Sequence, residues 1–478
     1  MTTETMSYPH VIGEDRTKNQ ETIDVENKYD QRVLGSVFRG GKEEVDRAVA
    51  AARQAFEQSQ LTPSERGELL RKAAELFSEK KEELAQTITA EVGKVIRDAR
   101  MEVDRGIQTF LAAAEEAGRI TGHTVPIENQ KGNENRLAFT IRQPVGVIGA
   151  ITPFNFPFNL TAHKLAPALA AGNTVVLKPA EKTPLSAMMM VDLLLEAGFR
   201  PGTINVVNGY GHEAGDALLR HPDVDMYTFT GSPDVGKIIK STTGIRKVTL
   251  ELGSNAPNIV HSDVDDLYEV AKSCVEKGMM HNGQACISVQ RIYVHEDRAD
   301  EFLRYAKEAA EALEVGNPQD DDTRVGPLID VKSAERIEAW VNEAVSGGAR
   351  IISGGRREGA IYYPTVLTDV QPDMRVVCEE VFAPVVVVVP YSDIQEAIRQ
   401  ANDSRFGLQV GVFTKDIDLA IHAAKKLRYG GIILNDVSTF RADTMPYGGI
   451  KDSGVGKEGP KYAIEEMTDE KIIVINAK

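Results

Sequence analysis

Residues 145–179 read VGVIGAITPFNFPFNLTAHKLAPALAAGNTVVLKP. The opening VGVIGAIT is a short apolar run of strand length. HKLAPALAAG then repeats apolar residues at helical spacing and stops at Gly172, and NTVVLKP is again strand-like. The same alternation continues downstream. LSAMMMVDLLLEAG predicts a helix ending at Gly198, and TINVVNG a strand. HEAGDALLRH predicts a helix, DMYTFTG a strand, SPDVGKIIKSTTG a helix and KVTLELG a strand. Strands alternating with short helices predict βαβ units on a parallel sheet, whose ligands bind beyond the carboxyl ends of the strands. From about residue 254 a second α/β series follows, with helices over 266–280, 297–314 and 331–346 and strands at VQRIYVH and VFAPVVVVVPY. The run VFAPVVVVVP at 381–390 is β-branched and bounded by proline. It reads as a buried strand, well short of the ~18 apolar residues of a membrane span.

Upstream, Arg32–Phe38 is a strand candidate and EEVDRAVAAARQAF a helix. Thr62-Pro63-Ser64-Glu65 forms a capping box that opens a helix running to Gly93, and a third helix spans about Asp98 to Gly118. Thr121–Ile127 and Arg136–Val147 read as a long hairpin around NQKGNEN. A lone ribbon is marginal in water, so it is expected to pack elsewhere, for instance on another subunit. The tail KIIVINAK is a second candidate for pairing with a partner.

The 478 residues correspond to roughly three lobes. Acidic residues outnumber basic ones, 71 to 55, and the net charge of −16 opposes binding to nucleic acid or anionic lipid. The amino terminus lacks the apolar core of a secretory signal. The three cysteines, Cys274, Cys286 and Cys378, are too few and too odd for a disulfide framework, and no zinc-ligand spacing surrounds them. A reducing cytoplasm is the expected setting, with no metal.

Cys286 lies in His281-Asn282-Gly283-Gln284-Ala285-Cys286-Ile287, where small neighbours let a ligand approach, so it reads as a nucleophile or as an inert buried thiol. Cys274 and Cys378 read as core. His281 is a weak candidate partner for Cys286, because proximity in sequence does not place it there in the fold. Thr230-Gly231-Ser232-Pro233 leaves a strand and opens a helix whose free N–H groups suit a pyrophosphate, or is an ordinary turn. Lys178 and Glu181 end a strand of the parallel sheet, where a carboxylate can accept ribose hydroxyls; a solvated loop is the other reading. Glu251 ends an apolar strand, a costly place for a carboxylate without a role. Asn155, between Phe154 and Phe156, has an amide that a rigid turn could aim at an oxyanion.

In order, PFNFP, KPAEKTP, FTGSPDVG, LELG, NGQACI, EEVFAP and NDVSTFRADTMPYGGIKDSG closely resemble the motifs of the aldehyde dehydrogenase superfamily, from about residue 10 to the end of the chain. The resemblance implies an α/β fold with a Rossmann-type cofactor domain, an α/β catalytic domain and a small β oligomerisation element. On that basis the cofactor domain is expected at 1–120 and 145–253, the oligomerisation hairpin at 121–144, the catalytic domain at 254–450, and a carboxyl-terminal segment carrying the oligomerisation strand at 451–478. Cys286 then resembles the catalytic thiol, Glu251 the general base and Asn155 the oxyanion amide, with Lys164 near the water path. Thr152, Pro153, Phe154, Lys178, Ala180, Glu181, Thr230, Gly231, Ser232, Leu252, Gly253, Glu380 and Phe382 resemble cofactor contacts.

The implied reaction is oxidation of an aldehyde to its acid through a thiohemiacetal and a thioester. Glu181 implies NAD, although Lys182 beside it leaves NADP open. Glu251 argues against acyl transfer to CoA, since CoA-acylating relatives usually lack this base, and keeping Cys, Glu and Asn together argues against a silent homologue. The branch resembled acts on small polar aldehydes, such as lactaldehyde, sulfolactaldehyde, glyceraldehyde-3-phosphate and semialdehydes. Arg441 falls where the substrate tunnel is expected, either to meet an anion or to form a salt bridge. His163, Ala285 and Ile287 are further tunnel candidates. A homodimer or homotetramer is implied. Ser254-Asn255 departs from the family's usual turn after the base, Phe154 replaces a Trp, and Ala383 replaces a Gly.

Overall fold

The structure is a computed structural model that describes residues 7–59 and 61–477; the start of the amino-terminal segment and the last residue of the tail lie outside the described residues. The alternation read from 145 onward forms an eight-stranded sheet. From one edge its order is Gly454–Val455, Lys247–Glu251, Met226–Thr230, Val147–Ile151, Thr174–Lys178, Ile204–Val206, His10–Ile12 and Asp15–Thr17. The five strands between Lys247–Glu251 and Ile204–Val206 are parallel, and the outer ones are antiparallel. Strands buried on both faces suit such runs of Val, Ile and Leu. The chain steps outward from Val147–Ile151 through Thr174–Lys178 to Ile204–Val206, then returns to Met226–Thr230 on the other side. That reversal opens a crevice at the carboxyl ends of the strands.

A seven-stranded sheet follows in the order Arg350–Ser353, Thr365–Thr368, Val385–Tyr391, Arg291–His295, Pro257–Val260, Gln409–Phe413 and Gly431–Leu434. Only Arg350–Ser353 runs antiparallel. The edge strand Gly454–Val455 brings the end of the chain back onto the first sheet beside Glu251, so the segment after residue 450 does more than carry a terminal strand.

Several local expectations change. The helix expected to run from Thr62 to Gly93 is two helices, Pro63–Glu79 and Lys81–Val92, which meet at Lys80. The charged SEKKEE run offers no apolar stripe to carry one helix through, and the bend lets Phe77 and Leu84 face the same core. Thr62 and Glu65 form the capping box, and Gly93 closes the second helix in the left-handed region. The long hairpin is mostly a different pairing. Arg136–Pro144 pairs along its length with Thr468–Asn476, and only Thr124–Val125 lies on its other side. The strand expected from Val381 begins at Val385, because Phe382 takes a left-handed φ of 51°. Cys274 is core, as expected. Cys378 is not: it ends the short helix Arg375–Cys378 and is only half-buried. Among the described residues no helix is long and apolar enough to cross a membrane.

Candidate active site

Cys286 lies between helix Leu267–Met279 and strand Arg291–His295. The chain reaches it through three consecutive left-handed residues, His281 (φ 54°), Asn282 (58°) and Gly283 (71°). A left-handed non-glycine residue costs about 1–2 kcal/mol, so the loop needs anchors. Asn282 Nδ2 donates to the Gly93 and Pro327 carbonyls (3.0 and 2.8 Å), and its Oδ1 accepts from the Gly326 amide (2.7 Å). The His281 amide donates to Asp98 Oδ2 (3.1 Å). A side chain on Gly283 would overlap the Ala383 carbonyl. The His281 ring packs edge-on against Phe156 and faces Asp98, so it does not partner Cys286.

The Cys286 thiol is within hydrogen-bond distance of the Tyr447 hydroxyl (3.0 Å). Burial pushes the thiol up to about 11; the Tyr447 hydrogen bond and the Arg441 charge pull the other way, while the Glu380 and Glu251 carboxylates add to the rise. Asn155 Nδ2 donates to the Gln284 carbonyl (2.8 Å), which ties its turn to the cysteine loop, and its second N–H has no acceptor among the described residues. The backbone N–H of Cys286 has no acceptor among the described residues. Glu102 Oε1 accepts from the amides of Phe158 and Asn159 (2.9 and 3.1 Å), just beyond Asn155. Its other oxygen pairs with buried Lys94, whose ammonium lies 3.9 Å from the centre of the Phe156 ring. Asp98 and Glu102 stand one turn apart on helix Ile96–Ala117, so one helix face holds both the thiol loop and the Asn155 turn.

Glu251 ends strand Lys247–Glu251 with both carboxyl oxygens buried and unpartnered. Burial raises it well above the usual carboxylate range, and the negative Glu458 adds to this; Arg441, Lys164 and Lys457 oppose it. A side chain on Gly448 would press on one of its oxygens. Lys164 donates to Thr230 Oγ1 (2.7 Å) and Glu458 Oε1 (3.0 Å). Burial alone would raise Glu458, but Lys164, His163 and Arg441 outweigh it and hold it down to about 2.

Arg441 is buried. Its Nη2 lies 3.0 Å from Glu458 Oε2 and 3.1 Å from His163 Nε2, and its guanidinium carbon stands 3.6 Å from the centre of the Tyr447 ring. His163 Nε2 also lies 2.9 Å from Asp443 Oδ1, and Asp443 accepts two bonds from half-buried Arg105 (2.8 and 3.1 Å). Burial and the Arg441 charge lower His163. The outcome for Arg441 is a buried ion pair that also faces the thiol's hydrogen-bond partner. Ala285 packs with Phe156 and Leu160, and Ile287 packs with Leu408 and Tyr447, so two apolar clusters flank Cys286.

The crevice holds the remaining candidates. The Thr152 amide donates to the Lys178 carbonyl (3.2 Å), and the Phe154 ring, beyond Pro153, meets Phe382 edge-on at 5.8 Å. Lys178 pairs with Glu181 (3.1 Å) across Ala180, while Lys182 turns away to Asp330. Ser232 caps helix Pro233–Thr242, and a side chain on Gly231 would overlap the Phe229 ring. Beyond Leu252, a side chain on Gly253 would lie 2.5 Å from Glu380 Oε2. Glu380 accepts from the Ser254 amide (2.8 Å), and burial raises it to about 7. The buried Ser254 hydroxyl is unpartnered. Asn255 Nδ2 donates to the Val377 carbonyl (2.9 Å) and its Oδ1 accepts from Ser404, so the Ser254-Asn255 turn fastens the loop that carries Glu380.

A helix start for phosphate, a Lys–Glu couple at a strand end, a second carboxylate across the crevice and a free buried hydroxyl together fit a nicotinamide dinucleotide. Among the described residues no cluster of three or more His, Cys, Asp or Glu side chains could hold a metal ion.

Sequence reasoning missed Tyr447, Glu458, Asp443, Arg105, Asp98 and Glu102. Tyr447 and Glu458 exchange backbone hydrogen bonds (3.1 and 2.7 Å) across the glycine-rich YGGIKDSGVGKEG, a spacing that signals a tight return of the chain.

The sequence matches the model of the Aldehyde dehydrogenase family over residues 16–473. A 3-sulfolactaldehyde dehydrogenase from Priestia aryabhattai is 52% identical over 467 residues, 98% of this chain and 97% of that protein. Among solved structures, a glyceraldehyde-3-phosphate dehydrogenase from Methanocaldococcus jannaschii in complex with NADP superposes with a TM-score of 0.92 at 40% identity, covering 96% of this chain and all of that one. An aldehyde dehydrogenase from Bacillus cereus in complex with NAD+ superposes with a TM-score of 0.95 at 36% identity, covering 99% of this chain and 97% of that one.

Proposed function

The chain belongs to the aldehyde dehydrogenase family, and from that premise we propose that it oxidises a small, polar, anionic aldehyde to its free carboxylic acid, with NAD as acceptor. The observation that carries this reading is the buried, unpartnered carboxyl of Glu251, near enough to the Arg441 guanidinium and to Cys286 for their charges to act on one another.

Cys286, as the thiolate, attacks the aldehyde carbon. The resulting oxyanion is stabilised by the second N–H of Asn155 and the backbone N–H of Cys286, each worth about 3–4 kcal/mol in comparable sites. A bound nicotinamide dinucleotide supplies the hydride acceptor. Lys178 and Glu181 hold its adenosine ribose, with Thr152, Pro153 and Ala180 lining that side. The helix start at Thr230, Gly231 and Ser232 takes the pyrophosphate. Glu380 and Phe382, with Phe154, Leu252 and Gly253, flank the nicotinamide end. The thioester left on Cys286 is hydrolysed by a water that Glu251 deprotonates. The raised proton affinity of Glu251 makes it a strong base once ionised, and Lys164 supports its charge. Water rather than CoA is therefore the acyl acceptor.

Glu181 favours NAD because a carboxylate on the ribose repels a 2′-phosphate, and Lys182 is engaged by Asp330 instead of offsetting it. An anionic substrate is supported by Arg441, whose Nε is buried and unpartnered, with His163 beside it and the apolar Ala285 and Ile287 flanking Cys286. It is also in keeping with the 3-sulfolactaldehyde and glyceraldehyde-3-phosphate named for the two relatives. We place the enzyme in the cytoplasm, where Cys286 stays reduced, and assign the three-stranded sheet to subunit contacts in a dimer or tetramer. The domain limits follow the expectation above, except that residues 454–458 join the cofactor sheet and the active site.

The test is NADH formation across charged and neutral aldehydes for the parent, Cys286→Ala and Arg441→Ala. Cys286→Ala should be inactive, and Arg441→Ala should raise KM for anionic aldehydes selectively. Activity that survives without Cys286 refutes the mechanism. Arg441 also faces Tyr447 and Glu251, so its loss should lower kcat for every aldehyde; its substrate role is read from KM, and equal KM changes for anionic and neutral aldehydes refute it.

A further inference from the structure

We propose that Tyr447 is a catalytic residue: its hydroxyl donates to Cys286 Sγ and eases formation of the thiolate against the opposing effect of burial, with Arg441 stacked on the ring to strengthen the donor. The inference rests on the reading of Cys286 as the nucleophile. The hydroxyl lies 3.0 Å from Sγ, and Cys286 is its only hydrogen-bond partner among the described residues. The ring is buried and wedged beside Ile287 and Leu408, so the hydroxyl cannot swing to solvent.

With a neutral thiol, either group can donate to the other. Once the thiol ionises, only the phenol can donate, and a hydrogen bond to an anion is stronger than one between neutral groups. The contact therefore favours the thiolate over the thiol. Tyr447 remains a donor throughout, since burial and the neighbouring thiol keep its own ionisation well above the usual tyrosine range. The guanidinium of Arg441, 3.6 Å from the ring centre, withdraws density from the phenol and sharpens its O–H. Glu458 and His163 hold the guanidinium in that position. When Sγ bonds to the aldehyde carbon, the carbonyl electron pair moves to oxygen. Tyr447 keeps its proton, and its hydrogen bond to sulfur weakens as the negative charge leaves that atom. Asn155 serves the oxyanion, so the two donors act on different atoms at different stages.

The test is the pH dependence of Cys286 alkylation by iodoacetamide in the cofactor-free protein, with peptide mass mapping to separate Cys286 from Cys274 and Cys378. In Tyr447→Phe the midpoint should rise by about one to two pH units. A profile that superposes on the parent overturns the proposal. If Tyr447→Phe does not fold, a fluorinated tyrosine incorporated at 447 keeps the shape and makes a stronger donor. It should move the midpoint down, and an unmoved midpoint overturns the proposal. Failure of the nucleophile reading shows separately, as NADH formation that survives complete alkylation of Cys286.

Discussion

Replacing Glu458 with glutamine removes one negative charge from a place where two buried cations depend on it. Lys164 and Arg441 each lie 3.0 Å from one of its oxygens, and all three side chains are buried. Breaking a buried ion pair from one side typically costs about 3–5 kcal/mol, because the remaining charge is left uncompensated. Here two cations lose their partner, so the unfolding equilibrium should shift by about two to four powers of ten. The same substitution acts on Glu251. Its proton affinity is raised first by burial and then by Glu458, while Lys164 and Arg441 lower it. Taking away the anion and leaving the cations must lower the pH at which Glu251 ionises. Deacylation needs Glu251 ionised, so the acid limb of the kcat profile should move to lower pH even though the protein is less stable. The assay is NADH formation at saturating aldehyde across pH 5–9, paired with thermal melts of both proteins. A limb that stays in place or moves to higher pH refutes the electrostatic account of this base.

Glu91 gives a stability prediction of opposite sign. It caps helix Leu185–Ala197 from outside, accepting from the Leu185 and Ser186 amides (2.8 and 3.0 Å), and burial raises its carboxyl to about 7. A raised acid favours the folded state fully below its unfolded value near 4.5, and that advantage, about 3 kcal/mol, is lost as pH climbs to about 7. Thermal scans should show the parent losing ground to Glu91→Gln across this window; parallel curves refute the assignment. On the three-stranded sheet that we assign to subunit contacts, Ile472 and Val474 are half exposed on strand Thr468–Asn476, whose far edge carries no partner strand among the described residues. The double change Ile472→Lys with Val474→Lys should reduce the mass found by light scattering to the 52.3 kDa of one chain. An unchanged oligomer shows that subunits meet elsewhere.

The parallel core was legible because its strands and helices carry their own signals. Gly172, Gly198 and Thr62 mark boundaries through backbone preferences that act within a few residues. Glu251 was legible for a related reason: a carboxylate closing an apolar strand conflicts with its surroundings wherever the strand lies. The partners of these groups were not. Tyr447 meets Cys286 across 161 residues of chain, and Glu458 meets Lys164 across 294, distances over which periodicity says nothing. Asp98 and Glu102 were a missed signal of another kind. They stand on the buried stripe of Ile96–Ala117 beside Ala99 and Val103, and a helical projection would have shown two acids facing the core. The break at Lys80 escaped notice because a charged run is compatible with both a continuous helix and a bent one.

The return of the chain onto the first sheet at Gly454–Val455 also fixes the order in which the parts of the site are made. Cys286, Asn155 and Glu251 are all translated long before Tyr447, Arg441 and Glu458. Until those residues follow, the thiol lacks the hydroxyl beside it and Lys164 lacks its counter-ion. Chains that end early, through a stalled ribosome or a nicked message, keep the residues that bind and attack but not those that tune them. The groups that attack and the groups that tune them thus come from distant parts of this sequence, and the stretch from Arg441 to Glu458 joins them.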